Sequence, residues 1–408
     1  MGWSRWWRTI PPELAVPVVL YAAVEVVSAA LVALGAAGGT GAASGLANAI
    51  LVLCGLLELR RRVGSRPSRW LVVAGVLQMA AAATAIANSL IPLVVPRTGV
   101  MAVYSVTGSI QFGLTLGFVI ALITAVRAWR SVLAPVALVA AFAWRMPPAI
   151  AEPALAFLPG LPAVRLYFAA ALVVAQLLLL ALYGRLGAVA QPRRVPVDAE
   201  RAARRVASWL RWRVALAALL AGGVAATLVT GAPVAPRELN AGLLLVAGAA
   251  VAGELVGLIG LARARVIGLS PAALYAAAFA ALWETIVALL SLYGTSRRGT
   301  AVIGLLIFIV GAGCSVWAGQ AARRFAVRSG NRALRTAITR RFAALVVLEI
   351  LRGATGLAAP LLPFEGQLLM LVIVGWSTVC QCGAMLALAS VFARLAGPLR
   401  LAQVVEEF

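Results

Sequence analysis

Residues 137–157 read ALVAAFAWRMPPAIAEPALAF and residues 344–364 read ALVVLEILRGATGLAAPLLPF. Laid over one another without a gap, the two stretches agree at Ala137, Leu138, Val139, Arg145, Ala151, Pro153, Leu155 and Phe157 of the first copy. Alanine and leucine matches are cheap in so apolar a chain, whereas an arginine, a proline and a phenylalanine in register are not. A second match, Trp3, Arg5 and Trp6 with Trp209, Arg211 and Trp212, lies at nearly the same spacing. The chain therefore reads as a duplication, with one arginine deep in an apolar run of each half.

The composition around these copies is that of a membrane protein: 63% of the 408 residues are hydrophobic and 12% charged, far from the soluble balance. Apolar runs of about 20 residues, the length that spans a bilayer, fall at roughly 14–36, 43–59, 70–94, 105–126, 131–158 and 163–184. Six more follow at roughly 213–231, 241–262, 271–293, 300–321, 342–361 and 367–393. The expected fold class is an all-α integral membrane protein of about twelve transmembrane helices in two parallel six-helix repeats. Such halves pack about a pseudo-two-fold axis along the membrane normal. The expected division is an N-terminal lobe at 1–186, a cytoplasmic linker with an amphipathic helix at 187–212 and a C-terminal lobe at 213–408. The first run lacks a small-residue cleavage site and is followed by many more like it, so it reads as a span and not as a signal peptide.

A net charge of +22 invites a nucleic-acid reading. The arginines, however, are scattered over short loops between apolar runs, so no nucleic-acid partner is expected. With the N-terminus and every loop after an even-numbered span assigned to the cytoplasm, all but seven arginines fall on that side. Arg97, Arg165, Arg237, Arg297 and Arg298 fall outside, and Arg145 and Arg352 within the membrane. The expected location is the plasma membrane, multi-pass, with both termini cytoplasmic. Basic residues that are all arginine, together with the alanine, valine and leucine content, suggest a prokaryotic source.

Several chemistries are excluded or unsupported. There is no histidine, which removes imidazole ligation of haem and the common imidazole metal sites. Cys54, Cys314, Cys380 and Cys382 all lie in apolar runs, so neither a disulfide framework nor a zinc ribbon is indicated. No metal or other cofactor is expected. Short loops leave no room for a soluble enzymatic domain, and the external ones lack an acid or histidine cluster. The chain is not expected to be an enzyme.

A charge at the bilayer centre costs roughly 2.5–3.5 kcal/mol on insertion scales, which makes intramembrane ionisable residues functional candidates. They are Glu25, Arg145, Glu254, Glu284, Glu349 and Arg352. At the helical rise, Arg145 lies roughly 21 Å and Arg352 roughly 16 Å inside their spans, near the midplane. Pro147 and Pro148 follow Arg145, and Gly353 and Gly356 follow Arg352, so helix breaks are expected at matching places, as in transporter binding sites. Arg145 and Arg352 are the expected substrate-binding pair, their guanidinium forks suited to a phosphate or carboxylate. Alternatively, Glu349, one turn before Arg352, neutralises it in a structural ion pair. Glu25, Glu254, Glu284 and Glu349 are coupling candidates, because a carboxyl in a low-dielectric site can load and release a proton.

The stretch ELAVPVVLYAAVEVVSAALVALGAAGGTGAASGLANAI, residues 13–50, resembles the first two spans of the multidrug and toxin extrusion and polysaccharide exporter superfamily. The likeness lies in Pro17, in the glycine turn at Gly38 and Gly39, and in GLAN at 45–48. EPALAFLPGLPAVRLYFAAALVVAQLLLLALYGRL at 152–186 is similar to that family's outer loop and sixth span. Cation-exporting members have an aspartate in the outer half of the first span. Here that region is VSAALVALG, with Glu25 nearer the middle. The resemblance, joined to the arginine pair, implies the flippase branch, whose lipid-linked oligosaccharide substrates carry a diphosphate.

The expected function is thus a secondary transporter or flippase that moves an anionic or lipid-linked substrate by alternating access. A major-facilitator-type anion transporter is one alternative, with LRRRVGSR at 59–66 a faint echo of that family's basic loop. The other is a non-catalytic structural subunit of a larger membrane complex, its buried charges satisfied by partner subunits.

Overall fold

In a computed structural model of the chain, the described residues are 10–33, 41–63, 65–94, 97–155, 162–190, 198–230, 257, 268–291, 300–358 and 367–407. They form eleven α-helices and one short 3-10 turn, with no strand among them. In chain order these are α1 (Pro12–Ala33), α2 (Gly41–Arg60), α3 (Ser65–Val94), α4 (Arg97–Ala125), α5 (Leu133–Leu155) and α6 (Pro162–Val189). Then come α7 (Ala199–Thr230), α8 (Pro271–Ser291), α9 (Thr300–Arg328), α10 (Arg332–Ala358) and α11 (Gln367–Glu407). The eighth expected span, near 241–262, apart from Gly257, and the tryptophan-rich N-terminus lie outside the described residues.

Local chemistry accounts for several boundaries. Pro12, Pro162 and Pro271 each open a helix, where the missing N–H costs nothing. Asp198 caps α7 by accepting the Arg201 N–H at 2.9 Å, and Asn331 caps α10 by accepting the Leu334 N–H at 3.0 Å.

Seven helices are long and apolar enough to cross a membrane: α1, α2, α3, α4, α6, α9 and α11. The apolar stretches of α5 and α8, Leu133–Trp144 and Pro271–Val287, are shorter. α7 and α10 each give their first turns to arginines. Outward-facing apolar side chains are abundant, among them Val139 at 67% exposure and Ile350 at 64%. A soluble surface does not carry so many, whereas lipid chains solvate them freely.

Two compact units divide the chain, Met1–Arg194 with Arg297–Ile303 and Val195–Ser296 with Gly304–Phe408. In the first, each helix packs on the next, and α6 returns to α1, so six helices close a ring. Leu14, Val18, Leu56, Leu71, Phe118, Leu122, Leu180 and Tyr183 fill its core. The α1–α2 contact is tight because Gly55 lacks a side chain. A Cβ there would stand 2.9 Å from the Glu13 carbonyl oxygen.

In the second unit α11 packs along α7 and α10. Gly319 of α9 meets Phe342 and Leu345 of α10, and Gly311 of α9 meets Ala280 of α8. Its core joins Ala203, Val206, Leu210, Ala322, Ile338, Phe392 and Leu395. The neighbour pairs α7–α11, α11–α10, α10–α9 and α9–α8 run in the same order as α1–α6, α6–α5, α5–α4 and α4–α3 in the first unit, while the contact of α7 with α8 has no like contact between α1 and α3 among the described residues.

Three expectations are revised. The amphipathic segment at 199–212 and the span that follows are one unbroken 32-residue helix, α7, not a linker followed by a span. Helix α5 continues through Pro147, Pro148 and Pro153 to Leu155. Helix α10 continues through Gly353 and Gly356 to Ala358, so the break expected after Arg352 is absent. Gly353 serves packing instead: a Cβ would come within 2.9 Å of Phe308 Cε1 on α9. Small residues at helix contacts let backbones approach, which is their usual service in membrane bundles.

Candidate functional site

Charge concentrates inside the second unit where α8, α9, α10 and α11 meet α7. Arg352 Nη2 lies 2.8 Å from Glu284 Oε1, and Arg352 Nη1 lies 3.7 Å from Glu349 Oε2. Gln381 of α11 donates a hydrogen bond from Nε2 to the other Glu284 oxygen at 3.0 Å. The Arg352 guanidinium also sits over the Phe308 ring, 5.0 Å from its centroid, a cation–π contact that strengthens as water is excluded. One arginine is thereby tied to α8, α9 and its own helix, and Glu284 is tied to α10 and α11.

These groups are largely withdrawn from solvent, with side-chain exposures of 14% for Arg352, 20% for Glu284 and 9% for Glu349. At such burial, desolvation of each ion costs several kcal/mol, and only close, well-oriented pairing returns it. Glu284 has that pairing at both oxygens. Glu349 does not: its Oε2 is buried and makes no hydrogen bond. Arg213 of α7 and Ser315 of α9 complete the polar wall of a cavity of about 50 Å³ lined by these residues. That volume has room for ordered water among these polar groups.

The first unit has a smaller, neutral counterpart of about 10 Å³. Gln78 of α3, Thr115 of α4, Trp144 of α5 and Gln176 of α6 give it polar and aromatic walls. Gln176 Oε1 is buried without a hydrogen bond. The α5 residues lining it, Ala137, Ala141 and Trp144, are spaced along their helix as Leu345, Glu349 and Arg352 are along α10. By that spacing Trp144 matches Arg352, one residue off the alignment of 137–157 with 344–364.

The expected site residues are distributed as follows. Arg352, Glu284 and Glu349 come together in one cluster. Arg145 lies on α5 next to Trp144, with its side chain outside the described residues, and Glu254 lies outside them altogether. Glu25 is elsewhere in the first unit, where its Oε1 accepts a hydrogen bond from Ser44 Oγ at 2.8 Å. Opposed positions along the antiparallel α1–α2 contact, Leu14 with Gly55 and Glu25 with Ser44, put Asn48 opposite Tyr21. Asn48 is buried, and its Oδ1 has no hydrogen bond. Arg213, the first residue of the expected seventh span, is the cluster residue that sequence reasoning missed, because it was assigned with the cytoplasmic arginines. The unbroken helical pattern from residue 199 onward was the signal for it.

Fold and cluster together define an all-helical protein with membrane-type helices and a buried charge network in its second unit. No family model, curated protein or solved structure matches the chain.

Proposed function

We propose that the chain is a secondary transporter or flippase of the plasma membrane, built from two parallel six-span repeats with both termini in the cytoplasm. Like orders of helix neighbours in the two units, and cavities at corresponding helices, support the repeat. The observation that carries the function is the Glu284–Arg352 pair lining a cavity inside a membrane-type bundle. A bilayer protein keeps such charges at a cost, and substrate and ion pathways are where that cost is met.

In this reading Arg352 is the anion-binding group and Glu284 its resident competitor. A substrate phosphate or carboxylate reaches the guanidinium only by displacing Glu284, and a proton delivered to Glu284 or Glu349 loosens the pair and frees the fork. Substrate and proton are then linked through a single ion pair. The cavity opens during alternating access to admit the headgroup. The resemblance of residues 13–50 and 152–186 to the exporter superfamily favours a lipid-linked diphosphate as substrate.

The test is reconstitution into phosphatidylcholine liposomes carrying a trace of fluorescently labelled polyprenyl diphosphate. Dithionite quenching then reports the fraction of label reached from outside. Quenching beyond half of the label, accelerated by a transmembrane pH difference, is expected. Quenching that stops at half, as in protein-free liposomes, would refute flipping of this substrate.

A second reading, a non-transporting subunit of a larger membrane complex, is favoured by one observation: Arg352 is already neutralised within its own unit. It expects no movement of label and stable co-purification of other membrane chains.

A further inference from the structure

The end of the second unit where α9 turns into α10 has a property that the ion-pair cluster does not use. The turn is rigid. Gly330 takes a left-handed φ of 69°, Ser329 Oγ donates to the Ala326 carbonyl oxygen at 2.9 Å, and Asn331 caps α10. Arg324, Arg328, Arg332, Arg335 and Arg340 are exposed on the two helices of this hairpin. Arg323 and Arg341 are half-buried, the first over the Phe342 ring and the second donating to the Ala337 carbonyl oxygen.

Nothing acidic occurs anywhere in residues 285–348, and none of the five exposed guanidiniums forms an ion pair among the described residues. The first unit handles its basic turn differently: there Arg62 pairs with Glu13 at 3.4 Å and with Glu58 at 3.2 Å. Orientation in a bilayer needs arginines in number and does not need them without ion-pair partners. Exposed guanidiniums with no ion pair among the described residues suit phosphate oxygens.

The surface beside the array says which phosphate. Arg332, Thr336, Arg340, Ala343, Val347 and Ile350 form one exposed stripe along α10. Its guanidinium end passes directly into apolar side chains, Val347 at 53% and Ile350 at 64% exposure. From Arg340 to Ile350 the helix rises roughly 15 Å, about half the hydrocarbon thickness of a bilayer. Charged head and apolar rail on one helix face match the two ends of a phospholipid.

We infer that the α9–α10 hairpin is a binding site for anionic phospholipid, with the phosphate held by Arg340 and its neighbours and an acyl chain lying along Val347 and Ile350. This holds whatever the chain transports. A soluble phosphate has no use for the rail, and a zwitterionic lipid lacks the net charge for the array.

The experiment is native mass spectrometry of the full-length protein in neutral detergent, titrated with dioleoylphosphatidylglycerol, dioleoylphosphatidylcholine or glycerol phosphate. Phosphatidylglycerol should bind with defined stoichiometry, and phosphatidylcholine and glycerol phosphate should not. Changing Arg324, Arg328, Arg332, Arg335 and Arg340 to glutamine should weaken phosphatidylglycerol binding by roughly fivefold per arginine. Changing Arg201 and Arg204, which pair with Asp198 and Glu200 on α7, should leave it within twofold. Phosphatidylglycerol binding that survives the five-residue change, or displacement of the lipid by glycerol phosphate at equal concentration, overturns the assignment.

Discussion

Arg352 and Glu284 stand on different helices of the second unit, and their nearest nitrogen and oxygen are 2.8 Å apart. Glu349, a turn before Arg352 on the same helix, is the weaker partner at 3.7 Å. The arginine is therefore a cross-link between α10 and α8 more than a charge balanced along α10. Arg352→Met removes the closest counter-charge of two largely buried carboxylates, with Arg213 the cation left in the cavity wall, and should destabilise the protein by about 3–5 kcal/mol. Adding Glu284→Gln and Glu349→Gln should recover most of that loss, since uncharged replacements of a buried ion network are often neutral. Unfolding midpoints in detergent measure both. A loss below about 1 kcal/mol for Arg352→Met would mean that the pair is not a structural link.

Gly55 and Gly313 should respond in opposite directions to alanine. At Gly55 a Cβ meets backbone at 2.9 Å and Leu14 Cδ2 at 2.7 Å, so overpacking costs about 1–3 kcal/mol. That exceeds the gain of up to about 1 kcal/mol in helix propensity. At Gly313 nothing lies within 4 Å, so Gly313→Ala should be neutral or stabilising. Thermal unfolding of the two variants side by side decides the point.

Gln176→Leu should not destabilise. The amide oxygen is buried and accepts no hydrogen bond, so leucine removes an unmet acceptor whose desolvation costs about 1–3 kcal/mol. A rise in unfolding midpoint is expected. A clear fall would mean that water in the small cavity satisfies the amide in the folded protein.

Ser44→Ala should cost about 1.5–3 kcal/mol, the usual worth of a hydrogen bond to a charged group, because buried Ser44 donates from Oγ to half-buried Glu25 at 2.8 Å. Glu25→Gln keeps an acceptor for that hydroxyl and should cost less. Midpoints in the reverse order would place the stabilising interaction elsewhere on Glu25.

Apolar periodicity and run length made the helices legible, because a bilayer allows backbone groups few other arrangements. The cluster was half legible. Burial cost marked Glu284, Glu349 and Arg352 individually, but helical spacing reveals only neighbours three or four residues away, so it offered Glu349 as the partner and could not offer Glu284. Gly353 was misread for a related reason. A glycine that admits Phe308 from the next helix looks the same in sequence as one that ends a helix. Arg213 was hidden because an arginine at the first residue of an expected span counts with the cytoplasmic charges, whereas the helix begins at Ala199 and carries it inward. The sequence alignment pairs Arg145 with Arg352, whereas the spacing of cavity-lining residues pairs Trp144 with it. A one-residue shift turns a helix by about 100°, and sequence matching does not resolve it.

The central claim is that the Glu284–Arg352 pair is where substrate binds and is released. It is tested most directly by dithionite-quench transport of labelled polyprenyl diphosphate in liposomes, comparing the unaltered protein with the variant carrying Arg352→Met, Glu284→Gln and Glu349→Gln. With unfolding midpoints matched, the variant should move the label at least tenfold more slowly and lose its response to a pH difference. Transport at the unaltered rate in that folded variant would contradict the account.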